Sequence, residues 1–264
     1  MDRAAVLTAF NEQIRRGTAE DGTGARFETT ELLVRRLAPP GQYGSGVFWT
    51  DLDAGNADAV IAAEIALFRD RGERFEWKLY DYDRPADLAG RLSAAGLAAE
   101  EPEAFVVAEV GAVIEALGPA EPPPGVTISQ VTDRAGVELM SAVSEQVFGE
   151  RQPELLESLV TQLAAAPEMT GLFLATAGDV PVSGSRIEFL PDTEFAGLWG
   201  GGTLPQWRRR GIYRAMVRRR AELAAQRGYK YVFVDASDQS RPILERLGFT
   251  CLAITTPYIY DPAA

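Results

Sequence analysis

The sequence contains no histidine, a single cysteine and only two lysines among its 264 residues. Each scarcity closes off a class of chemistry. Without histidine there is no Ser-His-Asp or Cys-His nucleophile pair and no histidine-ligated zinc. One cysteine, Cys251, allows neither an intrachain disulfide nor a cysteine metal cluster, so no metal site is expected. Acid–base steps must then fall to carboxylates, tyrosine, lysine or water. No apolar run approaches the roughly 20 residues that cross a bilayer. The opening stretch MDRAAVLTAFNEQIRRG reads as a charged amphipathic helix rather than a leader with an apolar centre. These features together predict a cytoplasmic protein with no membrane partner. A formal net charge of -12 argues against nucleic acid, which needs an extended basic surface.

With 46% hydrophobic and 24% charged residues, the composition is that of a globular chain, long enough for two domains of ordinary size. Against the acidic background, seven of the 26 basic residues fall within the thirteen positions Arg208 to Arg220. Gly211 interrupts the run just before a helical pattern. Unpartnered N–H groups and the helix dipole make such a junction a place for an anion. Ile212, Met216, Val217 and Leu223 share one side of that helix, within an arc of roughly 140°. Arg214 and Arg218 project oppositely, as on any solvated helix. Arg220 falls inside the apolar arc, where it must snorkel or find a partner.

The stretch GPAEPPPGV, Gly118 to Val126, is a stiff proline-rich connector. It predicts one domain over 1–118, a linker over 119–125 and a second domain over 126–264. The second reads as strand, two helices, three strands, helix, strand, helix, strand. Thr132 or Asp133 is the expected first cap, Pro153 opens the second helix, and Gly178-Asp179 joins two strands. The first part carries a fainter copy of the end of that order. Arg71-Gly72 matches Arg227-Gly228, and Arg84-Pro85 matches Arg241-Pro242 about 157 residues on, by analogy with how repeats are read. Where the second part has arginines, the first has Asp51, Asp53 and Asp58, which would repel a pyrophosphate.

The segments TLPQWRRRGIYRAMV and YVFVDASDQSRPILERLGF resemble the GNAT superfamily of acyl-CoA-dependent N-acyltransferases. Arg208-Arg209-Arg210-Gly211-Ile212-Tyr213 occupies its phosphate-loop pattern, and Leu247-Gly248-Phe249 its closing motif; the likeness covers Val126 to Tyr260. It implies an α+β fold of the GNAT kind, a mixed central sheet flanked by helices, in tandem with a degenerate first copy. It further implies acetyl-CoA as co-substrate and a small-molecule or peptide amine as acceptor, with oligomeric state open, a homodimer included. By the resemblance, the coenzyme is held by Gly202, Thr203 and Leu204, by Arg208, Arg209, Arg210, Gly211, Ile212 and Tyr213, and by Ser237.

The chain also departs from that pattern. Tyr213 stands where a small residue is common. Ser237 or Asp238 replaces the common asparagine. Leu244 occupies the position of the tyrosine that protonates the leaving thiolate. No glutamate matches the usual general base, leaving Glu188 or Glu194 as base and Tyr258 or Tyr213 as acid. An acetyl-CoA-dependent N-acetyltransferase acting by direct transfer is expected, with a non-catalytic acyl-CoA-binding protein as the alternative.

Overall fold

The computed structural model describes residues 1–17, 21–119 and 121–263. Along the chain run helix α1 (Arg3–Phe10) with its π-turn Asn11–Arg15, strands β1 (Arg26–Thr29), β2 (Leu33–Leu37) and β3 (Gly46–Thr50), helix α2 (Ala57–Arg71), strand β4 (Phe75–Tyr80) and helix α3 (Leu88–Ala94). Then follow β5 (Ala98–Ala99), β6 (Glu103–Glu109), α4 (Val110–Leu117), β7 (Val126–Val131), α5 (Arg134–Phe148) and α6 (Pro153–Ala165). The chain ends with β8 (Thr170–Ala177), β9 (Val180–Phe189), β10 (Phe195–Thr203), α7 (Ile212–Gln226), β11 (Tyr231–Ala236), α8 (Arg241–Arg246) and β12 (Thr250–Tyr260).

Local signals account for many of these boundaries. Asp133 caps α5, its carboxylate accepting the Gly136 amide at 2.8 Å. Pro153 starts α6 at a position where its missing N–H costs nothing. Gly178, with φ +57, turns β8 into β9. After the linker, the element order matches the pattern read from the sequence, apart from two short 3-10 turns.

All strands join one mixed sheet, ordered β1-β2-β3-β4-β12-β6-β11-β10-β9-β8-β7, with β5 also on β12. Among the described residues only β3–β4 and β10–β11 are parallel. The two sequence copies are visible as β3-α2-β4-α3-β6 and β10-α7-β11-α8-β12. Their final strands are exchanged. β6, from before the linker, pairs with β11, while β12, from the chain's end, pairs with β4 and β6. Four strand pairs, β6–β11 and β12 with β4, β5 and β6, therefore cross the linker, so the two copies share a sheet centre.

Alternation along the strands sorts the helices. Ala104, Val106 and Ala108 of β6 face α4, α7 and α8, whereas Phe105 and Val107 face α1. Phe173 and Leu174 of β8 divide likewise between α7 and the α5–α6 pair. Helices α2 and α3 lie on the α7 face, over Phe75, Trp77 and Tyr258. The sheet thus has an α7 face and an α1 face, each sealed by apolar side chains that contribute about 25 cal/mol per Å² buried.

Candidate functional site

Strands β10 and β11 are paired only at Phe195↔Tyr231, Ala196↔Val232 and Gly197↔Phe233. Past Gly197 they part, and from Leu198 to Thr203 the β11 side of β10 has no strand partner. A bulge between Trp199 and Gly202 breaks the register with β9, and Gly200 takes a left-handed φ of +57 within it. Gly202 is glycine for another reason: a Cβ there would lie 2.9 Å from Val147 on α5. The triple glycine therefore serves bulge and helix packing.

Above this open edge stands the arginine turn. After the 3-10 turn Pro205–Trp207, Arg209 (φ +61) and Gly211 (φ +88) are both left-handed, and α7 begins at Ile212. A left-handed arginine is strained by roughly a kcal/mol, so the turn is held by its surroundings. Arg208 supplies one hold, its Nε donating to the Thr203 carbonyl at 3.1 Å. Arg210 lies over the Trp207 ring at 4.6 Å. No side chain caps α7. Its first intrahelical bond runs from the Ala215 amide to the Gly211 carbonyl, leaving the amides of Arg209 to Arg214 without a protein acceptor among the described residues. Six unaccepted N–H groups, the helix dipole and exposed arginines make this turn a candidate seat for a diphosphate.

Beneath the bulge on the α7 face lies Arg220, 2% exposed. It neither snorkels nor forms an ion pair. Its Nε donates to the Met216 carbonyl and Nη1 to the Arg186 carbonyl, both at 3.2 Å. Burial drives its pKa down to about 10, with Tyr213 opposing. The Tyr213 ring lies against Gly201, and burial raises its hydroxyl pKa.

The structure brings Arg208, Arg209, Arg210, Gly211, Ile212 and Tyr213 together with Gly202, Thr203 and Leu204. Their backbone is partly engaged: the Gly202 carbonyl accepts from Ser183 Oγ at 2.7 Å and the Leu204 amide donates to Val182 at 2.9 Å. Ser237 is exposed just past β11, its carbonyl holding the amides of Ser240 and Arg241. The three expected acid–base residues lie elsewhere. Glu188 faces Gly197 across the β9–β10 pair and is bound to Arg186 at 2.9 Å, roughly 13 Å along β9 from Gly184, which lies opposite Gly202. Glu194 precedes β10 at its opposite end, roughly 25 Å away, held by Gln13 and Lys230. Tyr258 is buried opposite Trp77 in the core beneath α2 and α3, because β12 leaves the second copy for the first. Leu244 is buried too, so nothing at that position protonates sulfur.

Sequence reasoning passed over another group near the open edge, on the α1 face. Asp235 of β11 is 2% exposed and bound through Oδ2 to Lys78 Nζ at 2.8 Å. Burial opposes the charge on Lys78, but Asp235 and then Glu76 outweigh it and hold its pKa well above the usual lysine value. Glu103 of β6 stands beside them, its pKa pushed up to about 7 by burial and then by Asp235. The available signal was a charge placed among apolar residues, in VFVDAS and EAFVV, where a strand buried on both faces carries none.

No helix among the described residues is long and apolar enough to cross a membrane. Residues 137–249 match the family described as the acetyltransferase (GNAT) family. No curated protein matches the sequence. Among solved structures, a GCN5-related N-acetyltransferase from Kribbella flavida is similar over 100% of this chain and 96% of its own, at 19% identity and TM-score 0.68. A conserved protein of unknown function from Staphylococcus epidermidis is similar over 90% and 95%, at 13% identity and TM-score 0.65. A tandem GNAT protein from the clavulanic acid pathway is similar over 88% and 79%, at 12% identity and TM-score 0.58. These likenesses bear on fold, and the last on tandem arrangement.

Proposed function

We propose that this protein, whose residues 137–249 form a domain of the GNAT acetyltransferase family, moves an acetyl group from acetyl-CoA directly to a primary amine. The observation that carries the reading is the set of unaccepted amides from Arg209 to Arg214 at a left-handed turn. A coenzyme A diphosphate fits that seat, because a carboxylate cap is absent from it. Arg209 and Arg210 would add charge, and the unpaired edge of β10 from Leu198 to Thr203 would receive the pantetheine amides as a further strand does. When bound, acetyl-CoA supplies a thioester carbonyl for attack.

The chain's own part is positioning and proton handling. Arg208 and the bulge fix the turn relative to the strand edge. Tyr213, beside Gly201 and Arg220, is the one expected acid that lies at the site, and its hydroxyl is the proposed proton donor to the leaving sulfur. Glu188, Glu194 and Tyr258 have no place in this arrangement. The cytoplasm as location is part of the same proposal. We further propose that the first copy binds no coenzyme and serves packing or acceptor recognition.

Calorimetry of full-length protein with acetyl-CoA tests the seat. Arg208→Glu combined with Gly211→Glu should abolish measurable binding while the melting transition is kept; retained affinity would place the diphosphate elsewhere. Release of free thiol in the presence of an amine panel tests transfer. Buried Leu244 favours a second reading, an acyl-CoA-binding protein without catalysis. Tight binding with no thiol released from any amine would select it.

A further inference from the structure

On the α1 face, where β10 and β11 part, several buried polar atoms lack partners. Asp235 lies two residues beyond the last paired position of β11, with Oδ1 buried and unbonded. Glu76 Oε1 is likewise buried and unbonded, 3.7 Å from Lys78 Nζ. Trp199 Nε1, from the bulged side of β10, is a third such atom. Glu103 faces the same side, one step diagonal from Asp235, whose partner in register is Phe105. An unbonded carboxylate oxygen inside a protein costs on the order of 1–3 kcal/mol or more, so these oxygens call for a donor the chain does not supply.

The charge around these atoms comes from a few of the elements packed there. β4 brings Glu76, Lys78 and Tyr80, with the exposed Arg74 just before it; β11 brings Asp235; β6 brings Glu103, with Glu100 ahead of it. Tyr43 lies in the field of both Glu76 and Arg186, and Glu100 in that of Glu150 from the α5–α6 turn. Helix α1 presents Val6 and Phe10, and β12 only Thr255 and Ala253. Glu76, Asp235 and Glu103 thus gather at Lys78, while Glu100 is paired with Arg74 at 3.2 Å. The carboxylates outnumber the cations there, and a low-dielectric wall concentrates that field.

We propose that the acceptor is a diamine or polyamine entering as a multiply charged cation, received by the unbonded oxygens of Asp235 and Glu76, and that Glu103 removes the proton from its reacting nitrogen. This rests on the acyl-CoA reading above and places the base on the exchanged strand of the other copy. The atoms balance. The reacting ammonium gives one proton to a Glu103 oxygen, and its freed lone pair forms the C–N bond at the thioester carbonyl. The C–S bond breaks with its electrons on sulfur, the Tyr213 hydroxyl gives its proton to sulfur and is restored by nitrogen's surplus proton, and Glu103 passes its proton to water. The products are amide, thiol and one proton. A carboxyl with pKa near 7 suits the task, being charged above that value and able to hold a proton briefly.

Putrescine and n-butylamine, equal in carbon chain and differing in one ammonium, are the probes for full-length protein. Putrescine should show at least a tenfold higher kcat/KM, and calorimetry without acetyl-CoA should detect putrescine alone. Glu76→Gln should weaken putrescine binding several-fold. Glu103→Gln should lower kcat about 100-fold, the low end for a positioned base, with acetyl-CoA affinity within twofold of the parent. The wild-type rate should rise with pH through about 7 and lose that limb in the variant. Glu103→Asp, retaining a carboxylate, should recover part of the rate and guards against misfolding. Equal use or equal binding of the two amines, or a Glu103→Gln variant with unchanged rate and pH limb, would overturn the proposal. Loss of acetyl-CoA binding by the parent protein would instead refute the earlier reading, while putrescine calorimetry would still report on the cleft.

Discussion

The turn that opens α2 and the turn that opens α7 occupy corresponding places in the two copies and solve the same problem in opposite ways. At α2, Asp53 Oδ1 accepts the amides of Gly55 and Asn56 at 2.7 and 3.0 Å, and Asn56 Oδ1 accepts the Asp53 amide at 2.9 Å. At α7 the corresponding donors point outward with arginines around them. The strand edges differ in the same sense. β3 and β4 pair only at Gly46↔Glu76 and Val47↔Trp77, and Arg15 enters beyond, its Nε donating to the Phe48 carbonyl at 2.9 Å while its guanidinium grips Asp83 at 2.7 and 2.8 Å. One copy has spent the donors of its turn and filled its gap; the other keeps both open. A binding site, in this comparison, is what remains when local hydrogen bonding is withheld.

The largest effect should come from separating the copies. Because β6 completes the sheet beside β11 and β12 completes it beside β4, neither 1–119 nor 121–264 alone retains its neighbours. Each fragment, followed by circular dichroism, should lack a cooperative melting transition, and mixing the two should restore one. A cooperative transition in either fragment would show that the exchanged strands are dispensable.

Next in size is Lys78→Met. It leaves the Asp235 carboxylate, 2% exposed, without its cation and should cost about 3–5 kcal/mol in denaturant unfolding. A loss below about 1 kcal/mol would mean that solvent entering beside Asp235 screens its charge once Lys78 is gone.

Much of the second copy was legible beforehand because its signals are local. Asp133, Pro153 and Gly178 mark boundaries by backbone chemistry within a few residues. The arginine turn declared itself as charge where the helical period had not yet begun. Strand exchange was not legible, since the alternation of EAFVVAE says which residues are buried and not which strand lies alongside. That omission displaced the acid–base assignment. Tyr258 follows the second copy in sequence but packs in the first, and Glu103 precedes the linker but faces the second. Arg220 was flagged by its place in the apolar arc; that it would find only carbonyls could not be read from spacing.

Arg220→Met should act in the other direction. A buried guanidinium without a carboxylate costs stability, and an apolar side chain of similar length removes the cost, so a gain of about 1–3 kcal/mol is expected. The sign with pH follows from a folded pKa near 10, below the ordinary arginine value. Between those two values the unfolded chain binds more protons, so the wild-type penalty is complete below pH 10 and fades above it. The variant's advantage should therefore shrink as unfolding is measured at higher pH. A destabilised variant would show that the bonds to Met216 and Arg186, which support the bulge, outweigh desolvation.

The smallest effect belongs to the turn ahead of α2. Asp53→Ala frees the Gly55 and Asn56 amides and should cost about 1 kcal/mol, the usual net worth of such a hydrogen bond. It should not create coenzyme affinity in calorimetry with a protein already carrying Gly211→Glu. Asp51 and Asp58 still set a negative potential at the turn, and Arg15 still fills the gap between β3 and β4. Binding by that double variant would mean that Asp53 alone separates an empty copy from a loaded one. Its absence would assign the difference to the whole arrangement of donors, charge and strand edge.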